Sequence, residues 1–228
     1  MSERPLALVT GASRGVGAAV ARALAPTHDL LLGGRDTAAL AALSAELPGS
    51  RPWPVELTSV TEADVAGIDR LDVLVHSAGV AILGRIATTP AEVWRRTLDL
   101  NVVAVAELTR LLLPALRAAQ GRVVLINSGA GLRANPDWGS YAASKFALRA
   151  FADALRLEEP ALRVTSVYPG RIDTDMQRGV REQEGAAYEP DRYLTPESVA
   201  RVVLTAVSAT PDAHVTEITV RPSAGPVN

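Results

Sequence analysis

Short runs rich in Val, Leu and Ile alternate along this chain with amphipathic stretches of helix length, and that alternation restricts the folds open to it. Strands are read over 5–10, 29–33, 52–56, 71–76, 121–127, 162–168 and 214–220, with helices between them. A connection of helix length carries the chain back to the same end of a sheet, so successive strands run parallel. The pattern predicts an α/β fold, a doubly wound parallel sheet of about seven strands with helices on both faces. A helix over 15–25 places Val16, Ala19, Val20, Ala23 and Leu24 on one side and ends at Pro26; one over 97–119 is apolar nearly all round, with Pro114 expected to bend it. A third covers 141–158. Residues 170–194 have no clear period and are read as a lid.

With 228 residues, 48% of them hydrophobic and 21% charged, the chain can bury a full core, and residues 1–228 are read as one domain without repeats or linkers. A formal charge of −2 leaves no basic footprint for nucleic acid or an anionic membrane surface, which turns attention to small-molecule partners. The absence of cysteine removes disulfides, thiolate metal sites and thiol catalysis, and no metal is implied. The opening MSERPLALVTGASRG has too short an apolar run for a signal peptide, and Glu107 and Arg110 interrupt the longest one, Val102 to Leu116. No membrane segment and a cytoplasmic location are therefore expected.

Gly11, Gly15 and Gly17 stand between the first strand and the first helix. Residues without Cβ at such a turn let backbone approach a ligand, and the helix N-terminus offers N–H groups and a positive dipole end to a pyrophosphate. The placement suits a Rossmann-type dinucleotide site. Arg14 lies in this loop and Arg35 follows the second strand, the two places nearest an adenosine ribose in such folds. Guanidinium groups there favour a 2′-phosphate, so NADP(H) is preferred over NAD(H). Ordinary solvated arginines are the alternative, and Asp36 beside Arg35 speaks for it.

Lys145 is the only lysine in a chain with 22 arginines, and it follows Tyr141 by four residues at the start of a helix, so both side chains share one face. Reducing a ketone requires a proton as hydride arrives, and a phenol of pKa about 10 is a slow donor near neutrality. An ammonium at roughly 4–5 Å, in an effective dielectric of about 20, stabilises the phenolate by about 3–4 kcal/mol, a factor of roughly 10² to 10³ in acidity. A compact ammonium can also hold ribose hydroxyls while it does so.

These residues resemble the short-chain dehydrogenase/reductase family, and the resemblance runs from Thr10 to at least Thr174, closest to 3-oxoacyl and carbonyl reductases. "TGASRGVG" at 10–17, which includes Ser13 and Val16, resembles the family's cofactor loop, and "YAASK" at 141–145 its catalytic tyrosine and lysine. Ser128, thirteen residues before Tyr141, matches the catalytic serine and would hold the substrate oxygen. Asn101 in "LDLNVVA" matches the helix asparagine of a proton relay. In "YPGRIDTDM", Pro169 and Gly170 lead to Ile172 and Thr174, which the resemblance assigns to the carboxamide of the nicotinamide. Two stretches depart from the family pattern. "HSAG" puts His76 where an asparagine is usual, while Ala78 and Gly79 keep a close approach to the ribose; His76 is read as structural rather than as a base. "VELTS" puts Glu56 and Leu57 where an aspartate and a small apolar residue usually meet the adenine.

The resemblance implies an NADP(H)-dependent oxidoreductase acting on a small-molecule carbonyl or alcohol substrate. An NAD-linked alcohol dehydrogenase and a non-catalytic NADP(H) sensor are its rivals. A homodimer or homotetramer is expected through the 97–119 helix and through Phe146, Leu148, Phe151 and Leu155 of the next long one.

Overall fold

The computed structural model describes residues 4–223. In chain order its elements are β1 (Leu6–Thr10), α1 (Gly15–Leu24), β2 (Asp29–Gly34), α2 (Thr37–Glu46), β3 (Ser50–Pro54), β4 (Val73–His76), α3 (Ala91–Leu98), α4 (Ala104–Ala119), β5 (Arg122–Ile126), α5 (Gly139–Glu158), β6 (Arg163–Pro169), α6 (Asp175–Gln183), α7 (Pro196–Val207) and β7 (Glu217–Val220). All strand pairs are parallel, in the order β3-β2-β1-β4-β5-β6-β7. The winding reverses between β1 and β4, which opens a crevice at the carboxyl ends of these strands.

Alternate residues of each strand serve opposite faces. Ala7, Val9, Leu32 and Val75 pack under α1, α2 and α7 through Leu24, Leu40 and Val203. Leu8, Leu74, Val123 and Leu125 pack under α4 and α5 through Leu108, Leu112, Leu148 and Ala152. Burying one such aliphatic side chain contributes about 1.5–3 kcal/mol. Two layers of them fix the sheet on which the crevice stands.

Three elements differ from the sequence expectation. β3 begins at Ser50 and holds Pro52 and Pro54 within it, which an edge strand allows because one side of its backbone needs no partner. The 97–119 stretch is not one helix: α3 ends at Leu98, a π-helical turn spans Asp99–Val103, and α4 continues through Pro114. Nor is it buried all round, since α4 buries the stripe Val105, Leu108, Leu112, Ala115 and Leu116 while Val103 is exposed. The third difference is a nine-residue helix, α6, inside the segment read as irregular. Among the described residues no helix is long and apolar enough to cross a membrane, and no group of three metal-ligating side chains occurs.

Candidate active site

The turn from β1 into α1 is built from glycines with different tasks. Gly11, at φ +67, sits so close to the β4 loop that a Cβ would lie 3.0 Å from the backbone of Ala78. At Gly17 a Cβ would fall 2.1 Å from the Gly11 carbonyl oxygen, so this glycine lets the helix seat on its own turn. Gly15, at φ +55, has only the Thr174 methyl beside it, at 3.4 Å, and is the position left open on the ligand side. Two of the three glycines thus serve protein packing. Ser13 is half-buried in the turn, and Val16 packs against the core. No side chain caps the N-terminus of α1, whereas Asp36, Thr174 and Thr195 cap α2, α6 and α7. Its first N–H groups are free for an anion, which fits a pyrophosphate. Thr10 braces the cradle: its hydroxyl donates to the Val75 carbonyl at 3.3 Å and accepts from Ser77 and Ala78 N–H at 3.0 and 3.2 Å.

At the adenosine end, Arg35 is exposed and pairs with Glu56 at 3.4 Å. Asp36 is occupied elsewhere, accepting from Ala39 N–H at 3.0 Å as the cap of α2. Glu56 accepts from the Thr58 hydroxyl and N–H at 2.9 and 3.3 Å, and chiefly for this reason its carboxyl is held below the ordinary range. Its oxygens are committed to the Leu57–Ser59 turn and to Arg35, while Leu57 packs on the core beneath α4. Arg14 is exposed and has no acidic partner among the described residues.

Asn101, Ser128, Tyr141 and Lys145 gather where β4 and β5 end and α5 begins. Tyr141 and Lys145 are buried, at 8% and 6% exposure. The Lys145 ammonium donates to the Ile126 carbonyl at 2.9 Å and stands 5.7 Å from the centre of the Tyr141 ring. Burial pushes the Tyr141 phenol up, opposed by the Ser128 hydroxyl, and lowers the Lys145 ammonium to about 8. The depression of the phenol expected from the lysine is therefore not what this desolvated pocket produces; desolvation disfavours both charged forms. Ser128 caps the short turn Gly129–Gly131, its hydroxyl accepting from Ala130 N–H at 3.1 Å.

Asn101 is fully buried in the π-helical turn, as residues of such turns at functional sites often are. Its carboxamide brackets Val80, accepting from the N–H and donating to the carbonyl at 2.9 Å each, and donates to the Ser144 hydroxyl at 3.0 Å. Gly79 makes room for it, since a Cβ there would lie 3.1 Å from the Asn101 Oδ1. His76 lies away from this chemistry. Its Nε2 is 2.9 Å from the Thr109 hydroxyl on α4, and that hydroxyl spends its proton on the Val105 carbonyl. The ring is therefore the neutral Nε2–H form, and burial lowers its pKa to about 3.

The segment read as a lid is tied together at its two ends. Asp173 N–H donates to the Leu194 carbonyl at 2.8 Å and Leu194 N–H to the Arg171 carbonyl at 2.9 Å, so Ile172 and Leu194 pair across its base. Pro169 is buried, and Gly170 N–H donates to Val220 at 2.8 Å. Thr174 caps α6 with its hydroxyl while its methyl faces Gly15, which brings two of the expected cofactor residues together. Within the lid, Arg171 makes a two-pronged pair with Glu184 at 3.0 and 2.8 Å, Arg181 joins at 2.8 Å, and Arg178 lies 4.1 Å from the centre of the Tyr188 ring. The Tyr188 hydroxyl donates to Asp173. Gln183 docks α6 on the β4 loop by accepting from Leu83 N–H at 2.8 Å.

Sequence reasoning missed the residues that hold the site together. Asn127 accepts from Ser128 N–H at 2.8 Å and donates to the Lys145 carbonyl at 3.1 Å, tying the serine turn to the tyrosine–lysine helix. The only signal was its place directly before Ser128. Thr10 and Ser144 act similarly and look unremarkable in sequence. Gln177, 7% exposed, keeps its Nε2 buried without a partner.

A family model described as short chain dehydrogenase matches residues 5–185. The chain belongs to the short-chain dehydrogenase/reductase family and is an oxidoreductase of that family. It is 34% identical over 233 residues to a short-chain type dehydrogenase/reductase of Sinorhizobium fredii, covering 98% of this chain and 93% of that one. It is also 34% identical to a glycine betaine reductase of Emericella nidulans, covering 97% of this chain but spanning only 19% of that much longer protein. Among solved structures, an alcohol dehydrogenase of Thermococcus sibiricus complexed with 5-hydroxy-NADP superposes with a TM-score of 0.90 at 25% identity, covering 99% of this chain and 100% of that one. A metagenomic short-chain oxidoreductase in complex with NADP superposes at 0.79 with 28% identity, covering 96% and 97%.

Proposed function

We propose that this protein is an NADP(H)-dependent reductase of small carbonyl compounds, with Tyr141 as proton donor. The observation that carries the reading is the buried pair Tyr141 and Lys145 with the half-buried Ser128 beside it, set at the strand ends of a sheet whose first helix, α1, has no side-chain cap at its N-terminus. NADP(H), when bound, supplies the hydride. Gly15 and the first turn of α1 would hold its pyrophosphate, Arg14 and Arg35 its 2′-phosphate, and Ile172 and Thr174 its nicotinamide end. The NADP complexes among the structural relatives support the cofactor choice, as does the exposure of the Arg14 and Arg35 guanidinium groups.

Tyr141 donates its proton from Oη to the substrate oxygen, and the Ser128 hydroxyl holds that oxygen. A phenol pushed up by burial stays protonated near neutrality, which suits donation and so the reductive direction. Lys145 spends one donor on Ile126 and has two left for ribose hydroxyls. The carboxamide of Asn101 is spent on Val80 and Ser144, so its part in a proton relay falls to the backbone of the π-helical turn. Of the four α5 residues expected at a subunit contact, Leu148 and Leu155 are buried in the core of this chain and Phe151 packs against it, because that face of α5 covers the sheet. Exposed Phe146, with Leu157 on α5 and Val103 before α4, is what supports a homodimer or homotetramer, which light scattering at micromolar concentration tests. Mixing the protein with NADPH and a panel of ketones and aldehydes should consume NADPH; no consumption across the panel rejects the reading. A KM for NADH equal to that for NADPH rejects the phosphate assignment.

A further inference from the structure

After β7 the chain turns back over the ends of β5 and β6. At Gly170 a Cβ would lie 2.8 Å from the Pro222 Cδ and 3.5 Å from the Arg221 Cδ, so these residues are seated on the turn that follows β6. Arg221 Nη1 donates to the Tyr168 carbonyl at 2.7 Å and to the Val220 carbonyl at 3.3 Å. From the place a Cβ of Gly129 would occupy, Nη2, Cζ and Nη1 of Arg221 lie 3.2, 3.5 and 3.6 Å away. These distances place the guanidinium against Gly129, one residue after Ser128.

Both acceptors are neutral carbonyls, and no carboxylate pairs with Arg221 among the described residues. Glu217, on the same side of β7, is taken by the Tyr168 hydroxyl and Arg149, and Arg171 is neutralised by Glu184. Arg221 is exposed and is anchored through Nη1, so it brings a charge with no carboxylate partner among the described residues to the edge of the serine turn. The N–H groups on its Nε and Nη2 edge have no acceptor among the described residues, and that edge is one of the two forks that match a carboxylate.

We propose that Arg221 binds an acidic group of the substrate, so that the carbonyl compounds handled here are oxo acids. The carboxylate lies on the Nε and Nη2 edge while the reacting oxygen lies at Ser128 and Tyr141. This rests on the reductase reading above and adds the substrate class to it.

The test compares 3-oxobutanoate with its methyl ester, using NADPH and the full chain. The wild type should prefer the acid in kcat/KM. Arg221→Met should lower the acid-to-ester ratio at least about tenfold, mostly through KM, as loss of a charged hydrogen-bond pair does, and Arg221→Lys should fall between. The ratio from one preparation is independent of the folded fraction. A variant that has merely lost its clasp on Tyr168 leaves the ratio unchanged, and that result, or a wild type that prefers the ester, overturns the proposal. If neither compound is reduced, the panel of ketones and aldehydes decides the reductase reading, and binding still decides the role of Arg221. 3-Hydroxybutanoate should raise the thermal midpoint of the wild type but not of Arg221→Met, and its methyl ester should raise neither; no shift, or a shift kept in the variant, overturns the assignment.

Discussion

The wall of the site formed by β5 and α5 and the lid of residues 171–194 hold their side chains by opposite means. In the wall, polar groups end on backbone: Lys145 on Ile126, Asn127 on Ser128 and Lys145, Asn101 on Val80. In the lid they end on one another, Arg171 and Arg181 on Glu184, Arg178 and Asp173 on Tyr188. A buried bond to main chain fixes an atom to the sheet, whereas ion pairs between side chains of one segment tie that segment to itself and move with it. The wall is suited to holding a proton donor, and the lid to opening as a unit.

The largest effect expected in the wall is on chemistry. Tyr141→Phe should lower kcat/KM for carbonyl reduction by about 10³-fold while NADPH binding, followed by fluorescence titration, changes little. Turnover within a factor of about ten of wild type would remove the phenol from its role. Asn127→Ala strikes the scaffold, since it leaves the Ser128 N–H without its acceptor and cuts the tie from the serine turn to the Lys145 carbonyl of α5. It should cost about 2–3 kcal/mol in urea unfolding and lower kcat with it; a fully stable variant would mean the serine turn is held by packing alone.

The same difference governs what the sequence discloses. Strands and core helices carry their cause on their face, because burial of Leu8, Leu74 or Leu112 demands apolar residues at a fixed period. Tyr141, Lys145 and Ser128 are legible through residue type and spacing. α6 is not, since its support is a threonine cap and ion pairs, which leave no apolar period. Nor are Asn127 and Thr10, whose partners are main-chain groups 18 and 65–68 residues away along the chain. Glu56 and Gly79 are read through the family resemblance as neighbours of the cofactor, but the approach of Gly79 to Asn101 depends on a pairing 22 residues apart that sequence leaves open.

Next in size is an acid effect beneath the wall, on the neighbouring strand β4. His76 is neutral in the fold with a pKa of about 3, against 6.5 in the unfolded chain. Above pH 6.5 neither state takes the proton; as pH falls from 6.5 towards 3 only the unfolded state does, so stability is lost through that window. Between pH 7.5 and 5 the loss is about 2 kcal/mol. His76→Asn should flatten this part of the stability curve, whatever its effect at neutrality, and an unchanged slope would show that His76 is not the titrating group. The lid should answer differently. Glu184→Gln leaves Arg171 and Arg181 sharing a region without their carboxylate, at a cost of about 1–2 kcal/mol felt in lid closure. KM should rise roughly tenfold while kcat stays within a factor of about two. A fall in kcat instead would mean that the lid shapes the transition state as the wall does.

The smallest effect marks where the two regions meet. Gln177 belongs to the lid by sequence, yet it is buried like a wall residue, and its Nε2 has no acceptor. A buried donor without a partner costs free energy that an apolar group of similar shape does not, so Gln177→Met should stabilise the protein without cofactor by about 1 kcal/mol. Its position one turn beyond Thr174, which touches Gly15, makes the crevice the natural source of an acceptor once a ligand is bound. On that account the variant should melt higher alone and gain less from added NADPH than the wild type does, both read by the thermal midpoint. If the variant melts lower, the amide has an acceptor already, and the lid is held to the body by more than its ion pairs.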